Sequence, residues 1–321
     1  MRALIGAIPL RLEMSLLSRI VILACVAGVL FSSSSAVAQE GVDRQLEVIH
    51  ASGSVYMLQA PGGLGNMGVL VGPEGALLID DHLVPITDYI MDAVAEIAPS
   101  EIRFLINTHV HPDHIGGNEQ LGEEGVTIFA HDNVRLRMLA PIRIPRRGGT
   151  MFPQPPEGAL PVVTYSDGIT FYLNDEEVRV FLSPAAHTDG DSFIHFVEAD
   201  VLHLGDVFRT NMYPIIDRHN GGSFLGMIDA LEIAIGIAGP ETVVIPGHGF
   251  GTTDRGGMLE VLAMMLDVRE SVQRLVERGA SLQEVMDAGV TEDLDERWGR
   301  VESWTAADLL PIVFEELSQQ N

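Results

Sequence analysis

Residues 107–118 concentrate metal-ligand side chains in the order Asn-Thr-His-Val-His-Pro-Asp-His-Ile-Gly-Gly-Asn. Three histidines and a carboxylate occupy six positions of this stretch: His109, His111, Asp113 and His114. Imidazoles and a carboxylate lose hydration when they are brought together, and a bound cation compensates for that loss. The residue types and their spacing therefore predict a metal site.

The element that must position this cluster lies directly before it. The apolar run Ile102–Asn107 predicts a short buried strand, and Pro112 with Gly116 and Gly117 indicates a turn soon after it. A rigid strand that leads into a turn holds side chains in a precise geometry. We therefore expect the ligand cluster to begin where this strand ends.

The rest of the chain alternates segments of strand length with segments of helical periodicity. Helical spacing covers Ile86–Ala98 and Phe224–Ile237 and marks one face from Met258 to Leu275, and Ser281 to Glu284 has the pattern of a capping box. The predicted strands are 55–60, 67–72, 76–80, 102–107, 126–130, 169–173, 178–182, 193–197, 201–204 and 243–245. This interleaving predicts a layered α/β domain.

One segment departs from the alternation. Residues 141–161 contain prolines at positions 141, 145, 153, 155, 156 and 161. Because proline removes a backbone donor and fixes φ, this density predicts an absence of regular structure. The segment is long enough to form a lid over a site.

The first 38 residues have the features of a secretory signal peptide. The apolar run Ile20–Phe31 is too short to span a bilayer as a helix, and Ala36-Val37-Ala38 matches a signal-peptidase cleavage pattern. A start at Met14 would give a more ordinary signal than a start at Met1. We expect a periplasmic or secreted protein, cleaved after Ala38, that has no stable membrane insertion after cleavage.

The charge of the chain excludes some partners. Removal of residues 1–38 leaves 16 arginines, no lysine and no cysteine against 44 acidic residues, a net charge of −28 with histidine neutral. So negative a surface repels nucleic acid and anionic membranes. The one basic cluster contains Arg135, Arg137, Arg143, Arg146 and Arg147. It either draws an anionic substrate towards a cleft or pairs with acidic residues elsewhere.

Three later fragments add one potential ligand each, beside a glycine turn or after a predicted strand. They are Ala186-His187-Thr188-Asp189-Gly190-Asp191, Leu204-Gly205-Asp206-Val207 and Pro246-Gly247-His248-Gly249. With them the chain resembles the metallo-β-lactamase superfamily. The superfamily motif of His-x-His-x-Asp-His, a distant His, an Asp or Cys and a final His is matched in order over residues 45–255.

The resemblance implies a fold and a ligand set. The fold is an α/β, αββα four-layer sandwich over residues 45–255, followed by a helical C-terminal extension over 256–321. The first of two metal ions would be held by His109, His111 and His187, and the second by Asp113, His114 and His248. Asp206 would bridge the two ions. Asp80 matches the first motif of the superfamily and would support the site from outside the ligand shell.

The resemblance also implies an activity. Nitrogen and oxygen ligands without thiolate suit two zinc ions, with manganese or iron as alternatives. A metal-bound hydroxide would open an amide, β-lactam, lactone or ester bond of a small molecule, and Asp113 would orient it and transfer a proton. The catalytic residue implied is thus Asp113.

The substrate is less determined than the reaction. Asp206 and His114 match the pattern of glyoxalase II and lactonases. The common antibiotic-hydrolysing class instead has Cys at the position of Asp206. Arg209 stands where that class has a substrate-binding Lys, so it either binds a substrate carboxylate or forms a structural salt bridge. β-Lactam hydrolysis is therefore either the main activity or a weak side activity, and the sequence does not predict an oligomeric state.

Two other functions fit the same ligand residues. One is the oxidation catalysed by persulfide dioxygenases, which resemble this ligand set but use a single iron. The other is a non-catalytic role, in which metal stabilises a component of an exported complex. Closed structural zinc sites favour thiolates, and the chain after residue 38 has no cysteine.

Overall fold

A computed structural model of the chain describes residues 46–145 and 149–320. The predicted signal peptide, and Arg146 and Arg147 of the basic cluster, lie outside the described residues. Among the helices of the described ranges, none combines the length and the apolar character needed to cross a bilayer.

The strands and helices alternate along the chain. The strands are β1 (Glu47–Ser52), β2 (Val55–Gln59), β3 (Asn66–Leu70), β4 (Ala76–Ile79), β5 (Ile102–Asn107), β6 (Thr127–His131), β7 (Ile142–Ile144), β8 (Thr150–Phe152), β9 (Val163–Tyr165), β10 (Gly168–Leu173), β11 (Glu176–Leu182), β12 (Ser192–Phe196), β13 (Val201–His203) and β14 (Val243–Ile245). The helices are α1 (Val84–Ile97), α2 (Pro112–Ile115), α3 (Asn118–Glu123), α4 (Asp132–Met138), α5 (Phe224–Ile237), α6 (Arg255–Val276), α7 (Leu282–Asp287), α8 (Glu292–Trp298) and α9 (Ala306–Ser318).

The long strands form two sheets. The first has the order β1-β2-β3-β4-β5-β6-β9, antiparallel from β1 to β4 and parallel from β4 to β9. The second has the order β10-β11-β12-β13-β14, antiparallel except for the parallel pair β13 and β14. Each sheet therefore contains parallel strands whose carboxyl ends meet at one edge.

Side-chain alternation makes both faces of the sheets apolar, as in β4. Its residues Leu77 and Ile79 join the core between the two sheets, whereas Leu78 packs outwards against Ile90 and Val94 of α1. The outer face of the second sheet packs against α5 and the C-terminal helices. The predicted αββα sandwich with a helical C-terminal part is confirmed.

The proline-rich segment corrects one prediction. Residues 141–161 contain the antiparallel pair β7 and β8 and a 3-10 helix over Glu157–Ala159. Ile142 and Ile144 are buried in a small core, and Phe152 packs against it. The prediction of no regular structure was wrong because Pro141, Pro145 and Pro153 stand at the strand ends, where a missing N–H costs little.

The C-terminal helices share a core with the rest of the fold. Met258, Met264 and Met265 of α6 are buried together with Trp298 and Trp304. The predicted capping box of Ser281 and Glu284 begins α7. The methionine-rich face of α6 thus serves core packing in this structure.

Candidate metal centre

The predicted ligands come together where parallel strands end. His109 lies two residues beyond β5, Asp206 follows β13 and His248 follows β14, while the predicted supporting residue Asp80 follows β4. The pairs β4–β5 and β13–β14 are parallel, so each sheet delivers its ligands to the same edge. His187 comes from the loop between β11 and β12.

All seven predicted ligands lie in one cluster. Among the described residues, three groups bring their ligand atoms within 4.8 Å of one another: His109, His111 and His187; His109, His114 and Asp206; Asp113, His114 and His248. Asp206 Oδ1 lies 3.3 Å from His114 Nε2 and 3.2 Å from His248 Nε2. Asp206 Oδ2 lies 3.8 Å from His187 Nε2. The Asp206 carboxylate therefore borders ligands from both predicted triads.

Four buried atoms of this cluster make no hydrogen bond, since the 3.2 and 3.3 Å contacts of Asp206 Oδ1 are not aligned for one. They are His109 Nε2, His114 Nε2, His248 Nε2 and Asp206 Oδ1. Buried polar atoms are normally paired, since an unmade hydrogen bond costs about 1–3 kcal/mol. Imidazole nitrogens and carboxylate oxygens are ligands for zinc and other first-row divalent ions. The residues present therefore fit a divalent metal ion.

His111 and His187 give a second indication of a cation. The Nε2 of His111 donates to Asp217 Oδ2 at 2.7 Å, and the Nδ1 of His187 donates to the carbonyl oxygen of Ile215 at 2.7 Å. The remaining nitrogens, His111 Nδ1 and His187 Nε2, are 3.0 Å apart. In neutral rings both would present lone pairs to each other, and a cation between them removes this repulsion.

Asp80 fixes the orientation of the histidines that follow β5. Its carboxylate accepts from Thr108 N and Thr108 Oγ1, both at 2.7 Å, and from His114 Nδ1 at 2.7 Å. Thr108 Oγ1 also lies 3.0 Å from His109 Nδ1. The bonds at Nδ1 leave the Nε2 atoms of His109 and His114 for a metal ion, which is the arrangement expected of supporting residues outside the ligand shell.

Asp217 is a supporting residue that sequence reasoning missed. It is fully buried, and it also accepts from Asn220 N at 3.0 Å and from Asn220 Nδ2 at 2.6 Å. An acid after the apolar run Met212–Ile216 is its only sequence signal, and no spacing connects it to His111. Its role follows only from the contact across 106 positions of the chain.

The C-terminal helices hold the segment that carries these supports. Tyr213 Oη donates to Asp295 Oδ1 at 2.8 Å, and Trp304 Nε1 donates to Pro214 O at 3.0 Å. Glu316 of α9 is buried and binds Arg218 at 3.1 Å. The segment that orients His111 and His187 is thus fixed by helices that come after residue 290.

Burial and neighbouring charges shift the pKa values of several residues in the cluster. Burial would raise the pKa of Asp206, but His248 and His114 outweigh burial and place this pKa well below its ordinary value. Burial would lower the pKa of His114, but Asp80 and Asp206 raise it well above its ordinary value. Burial, reinforced by a neighbouring imidazole, lowers the pKa of His187 to about 3. A divalent metal ion would bind these imidazoles and the carboxylate in their deprotonated forms.

Arg209 and His82 border the cluster. Arg209 is 5% exposed, and its Nη1 lies 4.0 Å from Asp206 Oδ2. His82 is buried with a φ of 58°, and its Nδ1 accepts from Leu83 N at 2.8 Å. A positive φ is uncommon outside glycine and marks a backbone held by its surroundings.

In the predicted basic cluster, Arg137 pairs with Asp189 at 2.5 Å, so the charge of this arginine is compensated by an acidic residue.

We expect Asp217→Asn to weaken binding of the metal ion nearest His111 by about 10- to 100-fold. An amide accepts more weakly than a carboxylate, and its NH2 group competes with the donors of Asn220. Competition between the protein and a chromophoric chelator for zinc measures the affinity. Asp189→Asn is the matched control, because Asp189 pairs with Arg137 at the partly exposed surface and contacts none of the ligands. An unchanged affinity in Asp217→Asn would show that this hydrogen bond does not orient His111.

Comparisons with known proteins bear on this site and fold. A family model described as "Metallo-beta-lactamase superfamily" matches residues 60–270. The chain is 23% identical over 284 residues to a protein of Pseudomonas sp. (strain ATCC 19151) named "Linear primary-alkylsulfatase". That match covers 73% of this chain and 53% of the relative, so the chain spans about half the length of this curated protein.

Solved structures show the same fold. The "Metallo-beta-lactamase from Pontibacter korlensis" is similar with a TM-score of 0.57 and 18% identity, over 70% of this chain and 100% of that chain. The metallo-β-lactamase from Hirschia baltica gives a TM-score of 0.54 and 18% identity, over 69% of this chain and 98% of that chain. At these identities the likeness concerns the fold alone.

Proposed function

The chain belongs to the metallo-β-lactamase superfamily of metallohydrolases, and on that premise we propose that it is an exported hydrolase that binds two divalent metal ions, zinc by preference. The reaction is the opening of an amide, β-lactam, lactone or ester bond in a small molecule. The observation that carries the proposal is the set of four buried ligand atoms without a hydrogen-bond partner at the point where the predicted ligands meet.

Each of the two predicted triads would hold one metal ion. One ion would be held by His109, His111 and His187 and the other by Asp113, His114 and His248, with Asp206 shared. Bound divalent ions lower the pKa of water, to roughly 7 for zinc, and polarise the bond that is opened. This chemistry needs no organic cofactor.

Asp113 is the residue we assign to proton transfer. Its side chain is 23% exposed, whereas that of Asp206 is 4% exposed. The Oδ2 of Asp113 lies 3.4 Å from His248 Nε2, so the carboxylate joins the ligand cluster to solvent. A carboxylate in this place accepts a proton from the attacking water and passes it to the leaving group.

Arg209 is the residue we assign to an anionic group of the substrate. A guanidinium matches the geometry of carboxylate and sulfate oxygens, and Arg209 is 5% exposed, so a contact with it would be shielded from water. The likeness to a protein named as an alkylsulfatase favours a sulfate ester as the second candidate substrate. The net charge of −26 for the whole chain argues against nucleic acid as a partner.

The test is elemental analysis of the purified protein together with hydrolysis of β-lactams, lactones, thioesters, carboxylic esters and an alkyl sulfate, each with and without a chelator. We expect about two zinc ions per chain and turnover that the chelator abolishes. One iron and no hydrolysis would overturn the proposal in favour of persulfide oxidation. Bound metal without turnover of any kind would favour the non-catalytic role. Export is tested by measuring the intact mass of the protein isolated from the cell envelope. The expected mass is that of a chain that begins at Gln39.

A further inference from the structure

An almost wholly apolar cavity of about 360 Å³ lies on the flank of α2. Its walls include Leu83 and Val84 at the start of α1, Pro112 and Ile115 of α2, and Ile142 and Phe152 of the β7–β8 pair. The polar side chains in its lining, Glu119 and Gln154, are both exposed. The cavity has the size and character of a site for an apolar ligand.

Helix α2 connects this cavity to the candidate metal centre. Pro112 and Ile115 line the cavity, whereas Asp113 and His114, between them in the chain, belong to the ligand cluster. The four residues form a single helical turn, so part of the cavity wall and two of the predicted ligands belong to one element. Because Pro112 directly precedes Asp113, the apolar wall of the cavity begins one residue from that carboxylate.

Apolar side chains remain exposed around the cavity. Leu83 is 39% exposed and Val84 is 61% exposed, and Met151, next to the lining residue Phe152, is 57% exposed. Such groups, gathered beside a polar site, mark a surface that an apolar ligand covers. Their exposure shows that the apolar surface continues from the cavity lining onto the surrounding surface.

We propose that this cavity binds the aliphatic chain of the substrate, so that the bond opened at the metal centre joins a polar head to a carbon chain. The inference rests on the proposed function and names its substrate class. Burial of each methylene in an apolar site improves binding by about fourfold until the cavity is full. A short-chain substrate gains nothing from the cavity.

The test compares p-nitrophenyl acetate, butyrate, octanoate and decanoate as substrates. We expect kcat/KM of the wild-type protein to rise with chain length. Val84→Trp places an indole at the cavity wall and should lower the ratio of kcat/KM for decanoate to kcat/KM for acetate by tenfold or more. The matched control is Val162→Trp, because Val162 is 73% exposed and does not line the cavity, and its ratio should stay at the wild-type value.

The outcomes separate this inference from the proposed function. A flat chain-length series, or an equal loss for both esters in Val84→Trp, overturns the cavity assignment while hydrolysis itself stands. If no ester is hydrolysed, the proposed function fails for esters. Calorimetric binding of decanoate and acetate then tests whether the cavity binds an aliphatic chain. Decanoate binding that Val84→Trp weakens and Val162→Trp preserves supports the assignment. Decanoate that binds no better than acetate overturns it.

Discussion

Asp113→Asn should lower kcat by about 10²- to 10⁴-fold without disturbing the fold, because an amide of the same shape cannot accept a proton. Asp113 is the acid of the cluster with the greatest access to solvent, and its contact with His248 places it beside the reacting centre. The measurement is kcat on the best substrate of the hydrolysis panel, with metal content determined on the same sample. Loss of rate with metal retained identifies proton transfer as the missing step.

The matched control for this variant is Asp81→Asn. Asp81 is fully buried one residue after Asp80, and it accepts from Gly117 N at 3.0 Å without contacting a predicted ligand side chain. Burial raises the pKa of Asp81 well above its ordinary value, and the amide of asparagine keeps the shape and an oxygen that accepts from Gly117 N. We expect near wild-type turnover from the control. Wild-type turnover in Asp113→Asn as well would assign the proton to another group.

Asp206→Asn should reduce metal affinity by more than about 100-fold, the upper range for residues that only support ligands. Asp206 contacts His114 and His248 with one oxygen and approaches His187 with the other, so a single carboxylate serves both triads. Removing its charge weakens the attraction for two cations at once. The measurements are metal stoichiometry and the rise of Tm on zinc addition, since a ligand that binds only the folded state stabilises it.

Asp200→Asn is the matched control for Asp206→Asn. Asp200 precedes β13, at the opposite end of the strand that leads to Asp206, and it accepts from Thr242 Oγ1 at 2.6 Å. Its φ of 52° is one that asparagine also adopts. We expect the control to bind metal as the wild type does. Two tightly bound metal ions in Asp206→Asn would show that this residue does not bridge them.

The local pattern of the chain predicted a layered α/β domain and the first four members of the ligand cluster. Period-two apolar runs and helical stripes gave every strand of the two sheets between β2 and β14 except the three-residue β9, and they gave α1, α5 and α6. The ligand motif was readable because His109 to His114 lie within one turn after a strand, where spacing alone fixes proximity. The later fragments with His187, Asp206 and His248 were assigned through the order of a family motif.

The proline-rich segment shows where local reasoning fails. Proline density argued against regular structure, yet Ile142 and Phe152 pair across β7 and β8. The pair is stabilised by a small core that also contains Val134 and Met138 of α4. Packing against α4 is a long-range interaction, and a residue-by-residue propensity does not include it.

The sequence by itself indicated the alternation of strands and helices and the ligand candidates from His109 to His114, because both depend on residues that lie close together in the chain. The resemblance to a family motif supplied the remaining ligand candidates and the sandwich of four layers. Only the tertiary structure decided which nitrogen of each histidine is available, since His111 is oriented by Asp217 and His187 by the Ile215 carbonyl. It also decided that an apolar cavity lies beside α2, the helix that carries Asp113 and His114. These features join segments that are distant in the chain and are held by the C-terminal helices and the β7–β8 pair, so they follow from packing and not from spacing.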